Sequence, residues 1–270
     1  LVIRTLLAGR ENLDQELCEG LSRYGIEPCA AHLKSVFGFL SNKFVRTADE
    51  AERQKEYVFI EDDGMGGLRM AAGLREELER SPAFRDMLAD LTDFMISRYE
   101  TKFSKRYADT DLVLYEKYTY EDVCRLLNWP TNMTAQNIGG YFYEKQTKTL
   151  PVFVNYHKAE DAIAYEDRFI SPSHLVALSK TKRRTTSADA DHMFKRTAED
   201  RDNRIYLFVR RNKKDQGEAK AFYFLGEIEA RGEPIPVTLP ATGDAAFEIN
   251  YRLDVPVRGD IYTYITASED

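Results

Sequence analysis

The residues best equipped for chemistry crowd into one stretch. Between Arg168 and Lys214, thirteen Lys and Arg stand against five Asp and Glu, a local surplus of eight in a chain whose formal net charge is −7. Its densest part, Ser179 to Ser187 (SKTKRRTTS), interleaves Lys180, Lys182, Arg183 and Arg184 with hydroxyl side chains. Cations supply charge-assisted donors to phosphate oxygens and hydroxyls fix register, so this inventory suits a phosphate backbone. The competing reading is an ordinary solvated loop. Arg168 opens the same basic region, and Tyr141, Tyr143, Tyr156 and Tyr165 precede it. Aromatic faces beside a basic groove are how proteins hold unpaired or flipped bases. The candidate nucleic-acid contacts are therefore Arg168, Lys180, Lys182, Arg183, Arg184, Tyr141, Tyr143 and Tyr165, with core burial of most of the tyrosines as the alternative.

Other chemistries fit the spacing poorly. Tyr165-Glu166-Asp167-Arg168-Phe169 follows Tyr156-His157-Lys158, and a His, two carboxylates and an Arg are the ingredients of acid-base or metal-assisted hydrolysis. Yet His32, His157, His174 and His192 form no metal-type cluster, so an Arg-carboxylate bridge that pins a loop is the better reading, with Arg168 paired. Ser171, Ser173 and His174 are neighbours, but adjacent residues of a strand point to opposite faces, and no Gly-x-Ser-x-Gly elbow is present. Glu61 to Gly67 (EDDGMGG) lacks both the P-loop ending and EF-hand spacing, and reads as a turn between helices. Cys18, Cys29 and Cys124 also lack metal spacing and read as reduced thiols. No catalytic residue, metal or cofactor is assigned. A hydrolase or nuclease using His157 with Glu166 or Asp167 is the minor alternative.

The elements that must position these groups change period along the chain. Leu13, Leu17, Leu21 and Tyr24 form a helical stripe with Asn12 as cap and Gly25 as stop. Leu33, Val36, Phe37, Leu40 and Phe44 form a second, and Phe84, Leu88, Leu91, Phe94 and Met95 a third that opens on Ser81 and Pro82. Thr119, Asp122 and the apolar set Val123, Leu126 and Leu127 predict a short capped helix. Beyond it the period is two. Phe247, Ile249, Tyr251, Leu253 and Val255 alternate with polar residues, and runs at Gly140 to Glu144, Leu150 to Tyr156, Ile205 to Arg211, Ala221 to Ile228 and Ile261 to Thr266 predict five more strands. The expected class is α+β: a helical docking region over 1–115, then a strongly curved, mostly antiparallel sheet or pseudo-barrel over 116–270 as the nucleic-acid-binding domain. At 43% hydrophobic and 31% charged residues, the composition is globular, and no run approaches the roughly 18 apolar residues of a membrane helix. A cytoplasmic location without a membrane partner is expected. The chain starts at Leu1 without an initiator Met and reads as a fragment of a longer polypeptide.

An ordered set of motifs carries a resemblance. LYEKYTYEDVCRLLNW from Leu114, QNIGGY from Gln136, PVFVNYHK from Pro151, YEDRFIS from Tyr165, LFVRR from Leu207 and FYFLG from Phe222 resemble the domain of unknown function at the C-terminus of bacterial superfamily II (DEAD/DEAH-type) helicases. Those proteins often also carry a phospholipase-D-like nuclease domain. This chain departs from the pattern at Leu175-Val176-Ala177-Leu178, where the family often has an aromatic residue. The resemblance implies an accessory module of a helicase or nuclease of restriction or phage-defence type, with DNA and the upstream helicase domain as partners. No family catalytic residue carries over. By fold-level analogy, PUA-like or B3-like pseudo-barrels add the expectation of a modified or flipped base as ligand. The alternative is a structural module that contacts only the helicase core or another protein.

Overall fold

The computed structural model describes all residues except 11–12, 28–29, 46, 65–66, 134–137, 157–166, 212–220, 241 and 268–270, and the side chains of residues 30 and 31. The chain divides into two compact units, one made of Leu1–Arg106 with Cys124–Met133 and the other of Tyr107–Val123 with Thr134–Asp270.

The first unit holds helices α1 (Val2–Leu7), α2 (Leu13–Arg23), α3 (Ala30–Leu40) and α4 (Ala48–Gln54), a hairpin of β1 (Ile60–Asp62) and β2 (Leu68–Met70), and helices α5 (Ala72–Arg80) and α6 (Pro82–Arg98). Leu13 and Leu17 turn into a core with Val2, Leu6, Ile60, Leu74, Leu78 and Leu88, as the first stripe predicts. Gly25 stops α2 with a left-handed backbone, φ +68°, that costs glycine little. Asn12, its expected cap, and Cys29 lie outside the described residues. The second stripe ends sooner than expected: α3 stops at Leu40, and the Phe44 amide folds back to the Gly38 carbonyl at 2.9 Å. Asn42 at φ +53° makes that reversal.

The acidic Glu61 to Gly67 stretch begins in β1 and leads to β2, so it connects two strands of a hairpin where helix-to-helix linkage was expected. The Asp62 carboxylate accepts the Gly64 amide at 2.7 Å and Asp63 accepts that of Gly67 at 2.9 Å, so the carboxylates serve the turn. The third helix opens as expected, with Ser81 accepting the Phe84 amide at 3.2 Å and Pro82 at the first turn. Its stripe is split, however. Leu88 enters the core while Leu91, Phe94 and Met95 face outwards.

Thr119 and Asp122 cap α7 (Tyr120–Leu126) reciprocally: each side chain accepts the other's amide, at 3.0 and 3.2 Å. The second unit is built on a seven-stranded sheet. Its strands are β3 (Lys117–Tyr118), β4 (Thr149–Asn155), β5 (Arg168–Ser171), β6 (His174–Leu178), β7 (Arg204–Arg210), β8 (Phe222–Thr238) and β9 (Ala245–Leu253). The order is β4-β7-β8-β9-β6-β5, with β3 also on β8. Only β4 and β7 run parallel. Helix α8 (Ala188–Phe194) follows β6 and α9 (Gly259–Thr266) follows β9.

Three expectations need correction. Among the described residues the sheet is not closed into a barrel, since β4 and β5 end its order and are not paired with each other. The segment expected as a last strand, Ile261–Thr266, is helix α9: Ile261 and Ile265, four apart, bury one face in the sheet core, which outweighs the β preference of its aromatic and β-branched residues. Gly140 to Glu144 makes only isolated bridges, Tyr141 to Val152 and Glu144 to Thr149, because Gly139 and Gly140 have φ of +49° and +96° and turn the chain. Conversely, β8 runs on to Thr238 through Pro234 and Pro236. A register shift between Arg231 and Ile235 absorbs the irregularity.

Candidate nucleic-acid interface

The basic run leaves the sheet where β6 ends. Ser179, almost fully buried, clamps the exit to β9: its amide donates to the Phe247 carbonyl at 2.9 Å and its hydroxyl accepts the Phe247 amide at 3.0 Å. The Lys180 amide donates to the Tyr141 hydroxyl at 3.2 Å, which itself donates to Asp189 at 2.8 Å. Arg183 reaches the same carboxylate oxygen at 2.7 Å, and its own amide donates to the Ala245 carbonyl at 3.2 Å. Arg184 and Ser187 close a turn, and Arg196 donates to the Thr185 carbonyl at 2.6 Å. The loop is thus fixed on both flanks. Lys182 sits at its tip in the left-handed region, φ +61°, which costs an L-residue about 1 kcal/mol and is met mostly where function or tight packing demands it. Lys182 and Arg184 are exposed.

The candidate residues divide accordingly. Lys182 and Arg184 face solvent on the rigid loop. Lys180 lies 4.8 Å over the Tyr141 ring, and burial lowers its ammonium pKa although Asp189 opposes the shift. Arg183 is tied to Asp189, which raises its pKa further. Arg168 pairs with Glu248 at 3.1 Å, as expected of a pinned strand end, and the Asp167 carboxylate accepts the Leu178 amide at 2.9 Å. Tyr165, with His157 and Glu166 of the minor hydrolytic reading, lies outside the described residues.

Tyr141 and Tyr143 do not present stacking faces. Tyr141 is 6% exposed within the sheet core, and burial pushes its hydroxyl well above the usual range. Tyr143 stacks on His192 with centroids 4.0 Å apart and donates to Asn203 at 2.9 Å. Burial of the Tyr141 ring and the stacking of Tyr143 on His192 commit these two rings to packing, as the core-burial alternative expects.

The sequence reading missed a polar knot behind the loop. His192 Nδ1 meets Asp200 at 2.7 Å, and the same carboxylate accepts from Thr197 at 2.5 Å and Asn203 at 2.9 Å. Burial alone would raise the Asp200 pKa, but these donors together hold it below the usual carboxylate range. The Thr197-x-x-Asp200 spacing was the available signal. Among the described residues no three His, Cys, Asp or Glu converge as metal ligands.

Pairing also revises the charge of the basic region. Arg168, Arg196 and Arg204 reach Glu248, Glu233, Glu227 and Asp109, four carboxylates from outside the Arg168 to Lys214 segment. With Lys148, a cation from outside that pairs with Asp202, also counted, the surplus of eight falls to about five. What remains concentrates on the loop.

Residues 112–265, more than half of the chain, match the family described as a domain of unknown function, DUF3427. The chain belongs to the DUF3427 family. In this DUF3427 protein the match takes in the whole sheet, while residues 1–101 match a second domain of unknown function, DUF8090. No curated protein matches the sequence. Among solved structures it is similar to the DNA modification-dependent restriction endonuclease AspBHI, at 11% identity and a TM-score of 0.38, covering 59% of this chain and 46% of that one. It is also similar to the DNA recognition domain of the cytosine modification-dependent restriction endonuclease LpnPI, at 13% identity and a TM-score of 0.35, covering 58% of this chain and 81% of that one. The DUF3427 chain thus spans less than half the length of AspBHI. No helix in the described residues is long and apolar enough to cross a membrane.

Proposed function

We propose that this protein is a DNA-binding accessory module, without catalysis of its own, that serves a bacterial superfamily II helicase or nuclease of restriction or phage-defence type. The observation that carries the reading is the Ser179 to Ser187 loop, a basic segment clamped at both ends that holds Lys182 and Arg184 outwards. A loop fixed before binding loses little entropy when it meets a phosphate, which favours contact over mere solvation. Lys180, Arg183 and Arg168 stand behind that pair as supporting contacts, and Tyr165 is the one remaining candidate for stacking. The helicase link rests on the motif resemblance, with residues 1–115 as its docking region and the cytoplasm as its place of work. A modified or flipped base is the finer ligand of this reading.

The test is binding of the purified chain to duplex, single-stranded and cytosine-modified oligonucleotides at low salt. The expected result is binding that the Lys180, Lys182, Arg183 and Arg184 quadruple Ala variant weakens on every sequence. If no oligonucleotide binds, the DNA reading falls. The reduced charge of the basic region then favours a module that contacts only protein.

A further inference from the structure

Helix α6 is apolar over a wider sector than its own unit buries. Leu88, Thr92 and the half-buried Phe84 turn inwards; the Thr92 hydroxyl is spent on the Leu88 carbonyl at 2.7 Å. At about 100° per residue, Met87, Leu91, Phe94 and Met95 share an arc of roughly 100° that adjoins the buried sector. They are 73, 55, 59 and 51% exposed. Single exposed apolar residues need no explanation, but four large ones in a continuous stripe mark an interaction surface. Two are methionines, whose unbranched side chains adapt to irregular partners.

Charge along one flank says what would lie there. Asp86, Asp90 and Asp93 follow each other at spacings of four and three, all exposed, and form an acidic row beside the stripe. Among the described residues Asp93 pairs with Arg4 at 3.5 Å, and both side chains of that pair are largely in water. Arg85 projects from the opposite side of the helix. An antiparallel second copy of α6 would set two acidic rows against each other, which disfavours self-association.

We propose that this face of α6 docks a basic amphipathic helix of another polypeptide segment, its apolar side chains on Met87, Leu91, Phe94 and Met95 and its Lys or Arg along the Asp86, Asp90 and Asp93 row. This is the helix-on-groove mode of recognition, read as anchors at i, i+3, i+4 and i+7 spacing. It concerns the first unit alone and is independent of the DNA reading.

The probe is a fluorescent synthetic helix of Leu, Ala and Lys, with Leu at that spacing and Lys along one flank, titrated into the full chain and followed by anisotropy. The expected result is salt-sensitive binding that the double variant Leu91→Ser with Phe94→Ser weakens by about tenfold or more. Because both residues are exposed, the variant should fold; circular dichroism checks that. The charge reversal Asp86→Lys with Asp90→Lys should weaken the Lys peptide and strengthen a version carrying Glu in place of Lys. Equal binding by parent and both variants overturns the proposal, as does failure of the parent to bind. A dimer of the parent that becomes monomeric in the Leu91 and Phe94 variant would assign the face to a second copy and equally overturn it.

Discussion

Removing Lys182 and Arg184 together separates a DNA-contacting loop from an ordinary charged one. Both are exposed and neither side chain takes part in the bonds that fix the loop, so Lys182→Ala with Arg184→Ala should leave the fold intact. If each meets one phosphate of a duplex, the slope of log affinity against log salt flattens by about 0.9 per contact, or about 1.8 in all. Over a fourfold rise in salt, parent affinity should then fall about twelvefold more than that of the variant. Arg183→Ala probes the anchor of the loop instead. Its guanidinium is 43% exposed and bound to Asp189, so its loss should lower stability by at most about 1 kcal/mol, or a few degrees in Tm, through loosening of the Tyr141 and Asp189 anchor. The assay is anisotropy of a labelled duplex at several salt concentrations, with thermal melts of each variant. An unchanged salt slope for the double variant refutes the reasoning.

Tyr251→Phe should raise Tm slightly, by up to about 1 kcal/mol of stability, because its hydroxyl is fully buried and has no hydrogen-bond partner among the described residues; a clear loss in thermal denaturation would mean that the hydroxyl is satisfied. Asp200 titrates below its unfolded value, so the stability it adds is complete above about pH 4 and is lost as the pH falls towards its folded pKa. Asp200→Asn should therefore flatten the acid limb of a stability-against-pH curve, and an identical limb would contradict the knot around it. Arg168→Ala should cost less than about 1 kcal/mol by denaturant titration, since the Arg168 side chain is 47% exposed; a larger loss would show that the bridge to Glu248 is a principal anchor of β5.

The sequence was most legible where one face of an element is buried and the other is wet. The β9 alternation and the Leu13 and Leu17 stripe read correctly for that reason. It was least legible where both faces carry apolar groups. In Ile261–Thr266, strand and helix patterns coincide, and only the pairing of Ile261 with Ile265 inside the core decides for helix. The α6 stripe misled in a second way: periodicity shows that Leu91, Phe94 and Met95 share a side, and cannot say that the unit buries a different one. Strand β8 was cut short because Gly232, Pro234 and Pro236 look like punctuation, whereas a long register shift carries the pairing past them. At the candidate interface, residue type identified the loop and its basic charge. Which cations are free was not legible, because Asp189 lies six residues from Arg183 and Glu248 lies eighty from Arg168.

Strand β8 is shared between two ladders. Through Tyr223 to Glu227 it pairs with β7, and through Ile228 to Thr238 with β9. The two ladders use successive segments of one continuous strand, so β8 carries the pairing from one into the other. Continuity of β8 predicts coupled opening of the two ladders, with slow amide exchange extending from β7 to β9 at a common free energy. The loop after β6 is bonded at Ser179 and Arg183 to β9, part of that coupled region. Its exchange behaviour should follow the sheet's and not that of a surface loop.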